Sequence, residues 1–445
     1  MANLDLFEWK DERYPIDFIE SLIFQSESFL LKKLARNDCS WADDPKKHQG
    51  GPFLPKGAFG KKFFPQLKNI NGEKRHIFET IIEVEWPGTS ETKQCRLVHY
   101  SNKGSEQHLT RVPKPEFSNL TPASYLLIAK KTKRHAYIAV VIDSATSTAE
   151  WIEDKLELKS DFSCELFLPD DIRAKTLSQQ ELLVQAIIQA IKNDQLQSLI
   201  NSYSMRSTDQ LAVAAQELYL EKVGASSLSP YEIASPGDAI RTISRDLEFE
   251  LYKEDESKLL AVQFANSLVL AHGINTRKDA VKSIVKCCSN NDLYSVFKSA
   301  SQKRVSRAGR SFELHLSTVM RNGEIAFDAQ VKHNGRRPDF VLPGAHALKA
   351  NESNPGRAYI LSAKTTLKER WKQIVLEDYN CPVFLATLDE RITKPALDQM
   401  LNLNITVVVP ESLKKSKITN YKKHAAVISY RSFFDDVKDK WGVGF

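Results

Sequence analysis

Little in this chain serves to staple it, load it with zinc or anchor it in a membrane. The cysteines are few: Cys39, Cys95, Cys164, Cys287, Cys288 and Cys381. None forms a CxxC pair or stands near histidines at zinc-binding spacing, which argues against a zinc module and a disulfide framework. Reduced thiols in a cytoplasmic protein are the expectation. No apolar run approaches the roughly 20 residues of a membrane span. Residues 1–10 lack a basic region followed by an apolar one, so neither a secretory signal nor a membrane partner is expected. Charge of one sign is also scarce. The 62 Lys and Arg face 56 Asp and Glu, a formal net charge of +6, too small an excess to assign a nucleic-acid partner by itself.

What is present is clustered. At 445 residues the chain is long enough for two or three domains, each with its own core. Residues 29–64 carry eight basic side chains against three acidic ones, and residues 301–337 repeat that ratio. From about residue 23 to 168, residues 77–86, 96–100, 125–129 and 135–142 read as strands, separated by turn signals such as Gly50-Gly51-Pro52 and Pro87-Gly88. Short strands at that spacing predict a small barrel or sandwich. Two polar loops lie among them. Residues 36–49 include Arg36, Lys46, Lys47, His48 and Gln49, and residues 101–111 include Asn102, Lys103, His108 and Arg111. Their donors are those that meet phosphates and base edges, although by residue type alone they are also ordinary surface loops. Apolar spacing predicts an amphipathic helix over 179–193 and helix over 208–223; residues 224–237 are turn-rich, and a second helical block follows to about residue 300.

The chemistry concentrates downstream. Ser311 is placed to cap a helix whose Phe312, Leu316 and Met320 share a face, with Glu313 in a first turn where the helix dipole alone favours a carboxylate. Asp339 starts a short apolar strand after Pro338, and residues 358–364 read as a second, buried strand. A period of two puts Ser362 and Lys364 on one face. A lysine ending a buried strand needs anionic partners, which Asp339 and a phosphate would supply. Thr365 or Thr366 then caps a helix running to about Tyr379, on which Arg370 and Glu377 share a face. Asp339, Glu377 and Lys364 form a set suited to Mg2+-dependent phosphodiester hydrolysis, with the acids holding the ion and the lysine stabilising developing charge. Beside them, Lys368, Glu369 and Arg370 offer donors to guanine and an acceptor to cytosine; alone, they are also a charged helical turn with Glu369 paired to Lys372. Residues 382–388 and 405–410 read as further strands flanking a helix at 394–402, which predicts a mixed α/β sheet with covered faces.

These motifs, in this order, carry a resemblance. Residues 306–316, Arg337-Pro338-Asp339-Phe340, residues 364–374 and residues 407–415 resemble the catalytic domain of the EcoRII-type (type IIE) restriction endonucleases, of the PD-(D/E)xK nuclease superfamily. Residues 31–34, Asn37-Asp38, residues 48–55 and residues 96–102 resemble that family's effector domain, a pseudobarrel similar to plant B3 DNA-binding domains. The resemblance implies an N-terminal β-rich B3-like pseudobarrel DNA-binding domain at 1–175 and a helical linker region at 176–237. At 238–445 it implies an α/β restriction-endonuclease-like catalytic domain, a mixed sheet flanked by helices.

It further implies that Asp339 and Glu377 bind metal, the second acid having moved from the strand, where Ser362 stands, to the following helix. Lys364 would be catalytic and Glu313 an auxiliary acid. Lys368-Glu369-Arg370 would be the recognition triplet, and the loops 36–49 and 101–111 the arms that grip effector DNA. Phe249, with Tyr252 second, would stack on a base swung out of the duplex, core packing being the other role open to both. The enzyme so implied is a homodimer that cuts double-stranded DNA at a short palindrome rich in CC/GG steps. Its N-terminal domain binds a second site copy and otherwise blocks the cleft, and a cognate DNA methyltransferase is the expected functional partner. The competing readings are a modification-dependent or repair endonuclease and a catalytically silent DNA-binding protein on the same fold.

Overall fold

The period-two patterning of the N-terminal third folds into an eight-stranded sheet. A computed structural model of the chain describes residues 13–44, 46, 50–55, 62–69, 76–104, 106–131, 136–193, 195–202, 205–272, 292–332, 337–348, 356–367 and 381–442. It divides into two units. Unit 1 holds Met1–Lys175 with the later segments Asp389–Gln399 and Ser412–Ala425; unit 2 holds Thr176–Leu388, Met400–Glu411 and Ala426–Phe445.

In unit 1 the strands are β1 (Ser28–Lys33), β2 (Phe53–Pro55), β3 (Ile77–Trp86), β4 (Glu91–Tyr100), β5 (Glu106–Thr110), β6 (Tyr125–Lys130), β7 (Ala136–Ile142) and β8 (Cys164–Phe167). Their order is β2-β5-β4-β3-β7-β6-β1-β8, antiparallel throughout except for the β3–β7 pair. Alternate residues serve two cores. Leu30, Leu126, Ile128, Ala139 and Val141 join Val84, Trp86 and Leu97 on one face. Phe29, Leu31, Leu127 and Val140 meet Ile19, Leu22 and Ile23 of the helix Ile16–Gln25 and Ile152 of the helix Ser147–Lys155 on the other. Strands buried on both faces explain why β6 and β7 read as nearly unbroken apolar runs. At the β2 edge, Gly51 has φ +147° and a Cβ there would fall 1.9 Å from the Leu109 carbonyl oxygen, so only glycine lets the two backbones approach.

Residues 36–49, expected as a loop, open with a helix, Arg36–Asp43. Its composition is polar, which conceals it from a periodicity argument. The structure supplies the reason it forms: the Asp38 carboxylate accepts the Ala35 N–H at 2.8 Å and the Phe53 N–H at 2.9 Å, capping the helix and tying it to β2.

Unit 2 is built on a six-stranded mixed sheet, ordered β14-β13-β12-β11-β10-β9. Its strands are β9 (Asp328–Ala329), β10 (Phe340–Leu342), β11 (Tyr359–Ala363), β12 (Val383–Ala386), β13 (Ile405–Val409) and β14 (Val427–Ser429). β9, β10 and β11 run antiparallel; β11 through β14 run parallel. One face packs Phe340, Leu342, Leu361 and Ala363 against Phe312, Leu316, Val319 and Met320 of the helix Asp292–Asn322 and Phe433 and Phe434 of the helix Tyr430–Trp441. The other face buries Val341 and Ile360 with Ala347 and Leu348. This is the expected mixed sheet flanked by helices.

Ser311 does not begin a helix. Asp292–Asn322 runs straight through it and through Gly309. A mid-helix glycine costs about 1 kcal/mol. Four large apolar side chains buried at i, i+4, i+7 and i+8 outweigh that, at ~1.5–3 kcal/mol each. Glu313 therefore sits in mid-helix rather than in a first turn. No helix among the described residues is long and apolar enough to cross a membrane.

Candidate active site

Asp339 enters the site because the β9–β10 hairpin and β11 agree on a register. Phe340 pairs with Leu361 and Ala329, which leaves Asp339 one residue short of the strand, beside the carboxyl end of β11. There its Oδ2 accepts the Ala363 N–H at 2.8 Å and the Lys364 Nζ at 2.9 Å. The Lys364 backbone is itself held by the Ala386 carbonyl at 3.0 Å. The lysine at the end of a buried strand has thus found the anionic partner it needs. Its side chain is still 31% exposed, so the ammonium also faces outward.

The second described carboxylate is Glu313. Its Oε2 and the Asp339 Oδ1 share one donor, the side-chain amide of Gln330, at 3.0 and 3.2 Å. Burial, with the Asp339 charge next, pushes the Glu313 carboxyl above the ordinary carboxylate range, against the opposing pull of Lys364, Gln330 and Arg310. Gln330 follows the short strand β9 in a left-handed conformation, φ +55°. Its N–H bonds the Asp339 carbonyl at 3.0 Å, and its own carbonyl accepts Arg337 Nε at 3.1 Å. The donor set fits a divalent cation in kind: two carboxylates face one ammonium and one amide, a surplus of negative charge. No group of three or more His, Cys, Asp or Glu side chains suited to a metal occurs among the described residues. Glu377, the expected second ligand, lies outside them, as do Lys368, Glu369 and Arg370.

A largely buried polar network holds the Glu313 helix in place. Glu248 accepts from Arg307 and from the Ser311 hydroxyl, and its Oε2 lies 2.7 Å from His315 Nε2. The other ring nitrogen of His315 meets Gln216 at 2.9 Å. Sequence reasoning missed both Gln330 and this network. The only local signal was Ser311 and His315 four apart on a helix; Glu248 and Gln330 become neighbours only through tertiary packing and hairpin register.

Of the two aromatic candidates, Tyr252 is buried, its hydroxyl donating to Glu256 at 2.8 Å and its ring lying under the Arg307 guanidinium. That is the core-packing role. Phe249 is 36% exposed.

In unit 1, Arg36, Lys46, Asn102 and Arg111 are exposed. Arg36 opens its helix, Asn102 and Lys103 form a single 3-10 turn, and Arg111 takes a left-handed φ of +60°. His108 is half-buried on β5, its ring near Phe53 and Tyr100. Phe53 pairs with His108 in the sheet, so the β2–β5 pair joins the segments that carry the two sets. Lys47, His48 and Gln49 lie outside the described residues.

Residues 276–434 match the family model described as EcoRII C terminal. "Type II restriction enzyme EcoRII" of Escherichia coli is 35% identical over 130 residues, 28% of this chain and 32% of that protein. "Type II restriction enzyme SsoII" of Shigella sonnei is 29% identical over 164 residues, 34% of this chain and 52% of that protein. The matches therefore span a third to a half of the length of these curated relatives. Among solved structures, metal-depleted Ecl18kI in complex with uncleaved DNA aligns with a TM-score of 0.43 at 24% identity, covering 56% of this chain and 85% of that one. The UbaLAI restriction endonuclease B3 domain with cognate DNA aligns with a TM-score of 0.21 at 16% identity, covering 29% and 77%.

Proposed function

From the match of residues 276–434 to the EcoRII C-terminal family model, we propose that this chain is a type II restriction endonuclease that hydrolyses phosphodiesters of double-stranded DNA at a short palindrome rich in CC/GG. The observation that carries the reading is the 2.9 Å pair of Lys364 and Asp339 at the end of a buried strand, with Glu313 linked to it through Gln330. Asp339 and Glu377, with Glu313 beside them, would hold the divalent cation, Mg2+ in the cell. That ion supplies charge neutralisation at the phosphate and a bound water of lowered pKa. Asp339 is anchored through Oδ2 by the Ala363 N–H, which leaves Oδ1, now bonded to Gln330, as the oxygen that would turn to the ion. Lys364 presents its ammonium to the negative charge that grows on the attacked phosphate.

Lys368, Glu369 and Arg370 follow Lys364 closely enough to read G·C pairs in the adjoining major groove, and two copies in a homodimer would read a palindrome. Phe249 would stack on a base displaced from the duplex. In unit 1, Arg36, Lys46, Lys47, His48, Gln49, Asn102, Lys103, His108 and Arg111 would grip a second, effector copy of the site, and unit 1 would restrain cleavage until that copy is bound. A cognate DNA methyltransferase would protect the host sites. The test is digestion of unmethylated and methylated plasmids with Mg2+, with one or two site copies, followed by sequencing of the fragment ends. Cleavage of unmethylated DNA at one sequence, faster on two-site plasmids, is expected. No cleavage at any enzyme concentration would end the proposal, and cleavage of methylated DNA alone would turn it into a modification-dependent enzyme.

A further inference from the structure

The side chain of Gln330 belongs to no role described so far, yet it stands at the centre of the site. One amide nitrogen lies 3.0 Å from Glu313 Oε2 and 3.2 Å from Asp339 Oδ1. Two carboxylate oxygens converging on one position require a donor there, so the amide presents its N–H hydrogens and not its carbonyl. The backbone fixes this aim. Gln330 is held at φ +55°, with its N–H on the Asp339 carbonyl and its carbonyl on Arg337.

We infer that Gln330 is a placeholder for the divalent cation: its amide bridges Glu313 and Asp339 in the metal-free protein and must withdraw when the ion binds. This rests on the nuclease reading above and concerns how that site is loaded. The argument is electrostatic. Two like charges, Asp339 buried and Glu313 half-buried, repel unless something positive lies between them; Lys364 hydrogen-bonds Asp339 and acts on Glu313 through space. The N–H dipoles of one amide add a positive pole that touches both carboxylates. They use the same oxygens that would draw the cation, and a cation approaching those oxygens meets positively polarised hydrogens. The metal-free site is thereby kept assembled, and part of the ion's binding energy goes to displacing the amide.

The consequence has a sign. A side chain of similar length without donors should bind the ion more tightly, because the competing state is lost. The full-length protein, free of DNA, is titrated with Mn2+ and followed by electron paramagnetic resonance and by thermal melting. Gln330→Met should bind Mn2+ about ten-fold more tightly, ~1.4 kcal/mol. Its metal-free melting temperature should be lower and its Mn2+-induced rise larger. Gln330→Asn keeps an amide, suits the left-handed backbone better and draws the donor back by one methylene. It should also tighten binding, with no loss of fold. Unchanged affinity in both variants would make the amide a bystander. Weaker binding would make Gln330 a ligand through its carbonyl. Either result overturns the inference. Asp339→Asn is the control for the underlying reading. If wild type binds Mn2+ no better than Asp339→Asn, the metal site fails and takes this inference with it; if only the Gln330 variants behave as wild type, the placeholder alone fails.

Discussion

Both units carry a lysine paired with a carboxylate at a sheet strand, and the two pairs differ in what they leave open. On β1, Lys33 meets Glu390 at 2.8 Å with both side chains 4% exposed, and Lys32 meets an Asp38 already engaged by two backbone N–H groups. Those charges are closed off. At the end of β11, Lys364 is 31% exposed and its partner Asp339 spends one oxygen on a glutamine shared with a second carboxylate. Charge in the first case is balanced and sealed; in the second it is unbalanced and reachable. A sealed pair holds a fold together, and an unbalanced, accessible one has capacity left for a cation and a phosphate.

The largest effect that would break this contrast is at Lys364. Lys364→Ala should lower cleavage by about 10³-fold or more while specific binding in a mobility-shift assay persists; retained cleavage would remove Lys364 from the chemistry. Next comes Lys33→Met, which takes the buried ammonium away from the buried Glu390 carboxylate. Unfolding in denaturant should show a loss of roughly 3–5 kcal/mol, largely restored in the double variant Lys33→Met/Glu390→Gln. A loss that the second change does not relieve would mean the pair is not the unit of stability.

Arg370→Ala should cost about 1–3 kcal/mol of discrimination at one guanine, measured as relative cleavage of single-base site variants. An unchanged preference would exclude it from readout. The smallest effect concerns the thiols of unit 1. Burial pushes Cys39 and Cys164 up to about 12 and Cys95 up to about 11, so all three should resist alkylation at pH 8 in the folded protein and react once it unfolds. Because these folded values are raised, the stability they contribute is complete below the ordinary thiol range and declines as pH rises through it. Melting temperatures measured from pH 8 upward should therefore fall; a flat profile would show the thiols to be solvated.

Legibility followed local pattern. β3 was readable end to end and β6 nearly so, because each is an alternating or continuous apolar run between turn residues. The Arg36–Asp43 helix was not, because it is held by one aspartate reaching two N–H groups and not by an apolar stripe. Ser311 looked like a cap because a serine stands there just before an apolar face, but the helix already runs through it from Asp292.

By itself, the order of residues determined the strand that delivers Lys364, the aspartate before the short strand at 340, and the mixed sheet around them, since each depends on periodicity and on residues close in sequence. Only the tertiary structure decided that Gln330 stands between Glu313 and Asp339, that Glu248 braces the Glu313 helix, and that Glu390 and Arg391 pack with β1 and Glu153 in unit 1. Those neighbours are separated by as many as 357 residues. Their meeting depends on sheet register and core packing, which no local spacing encodes.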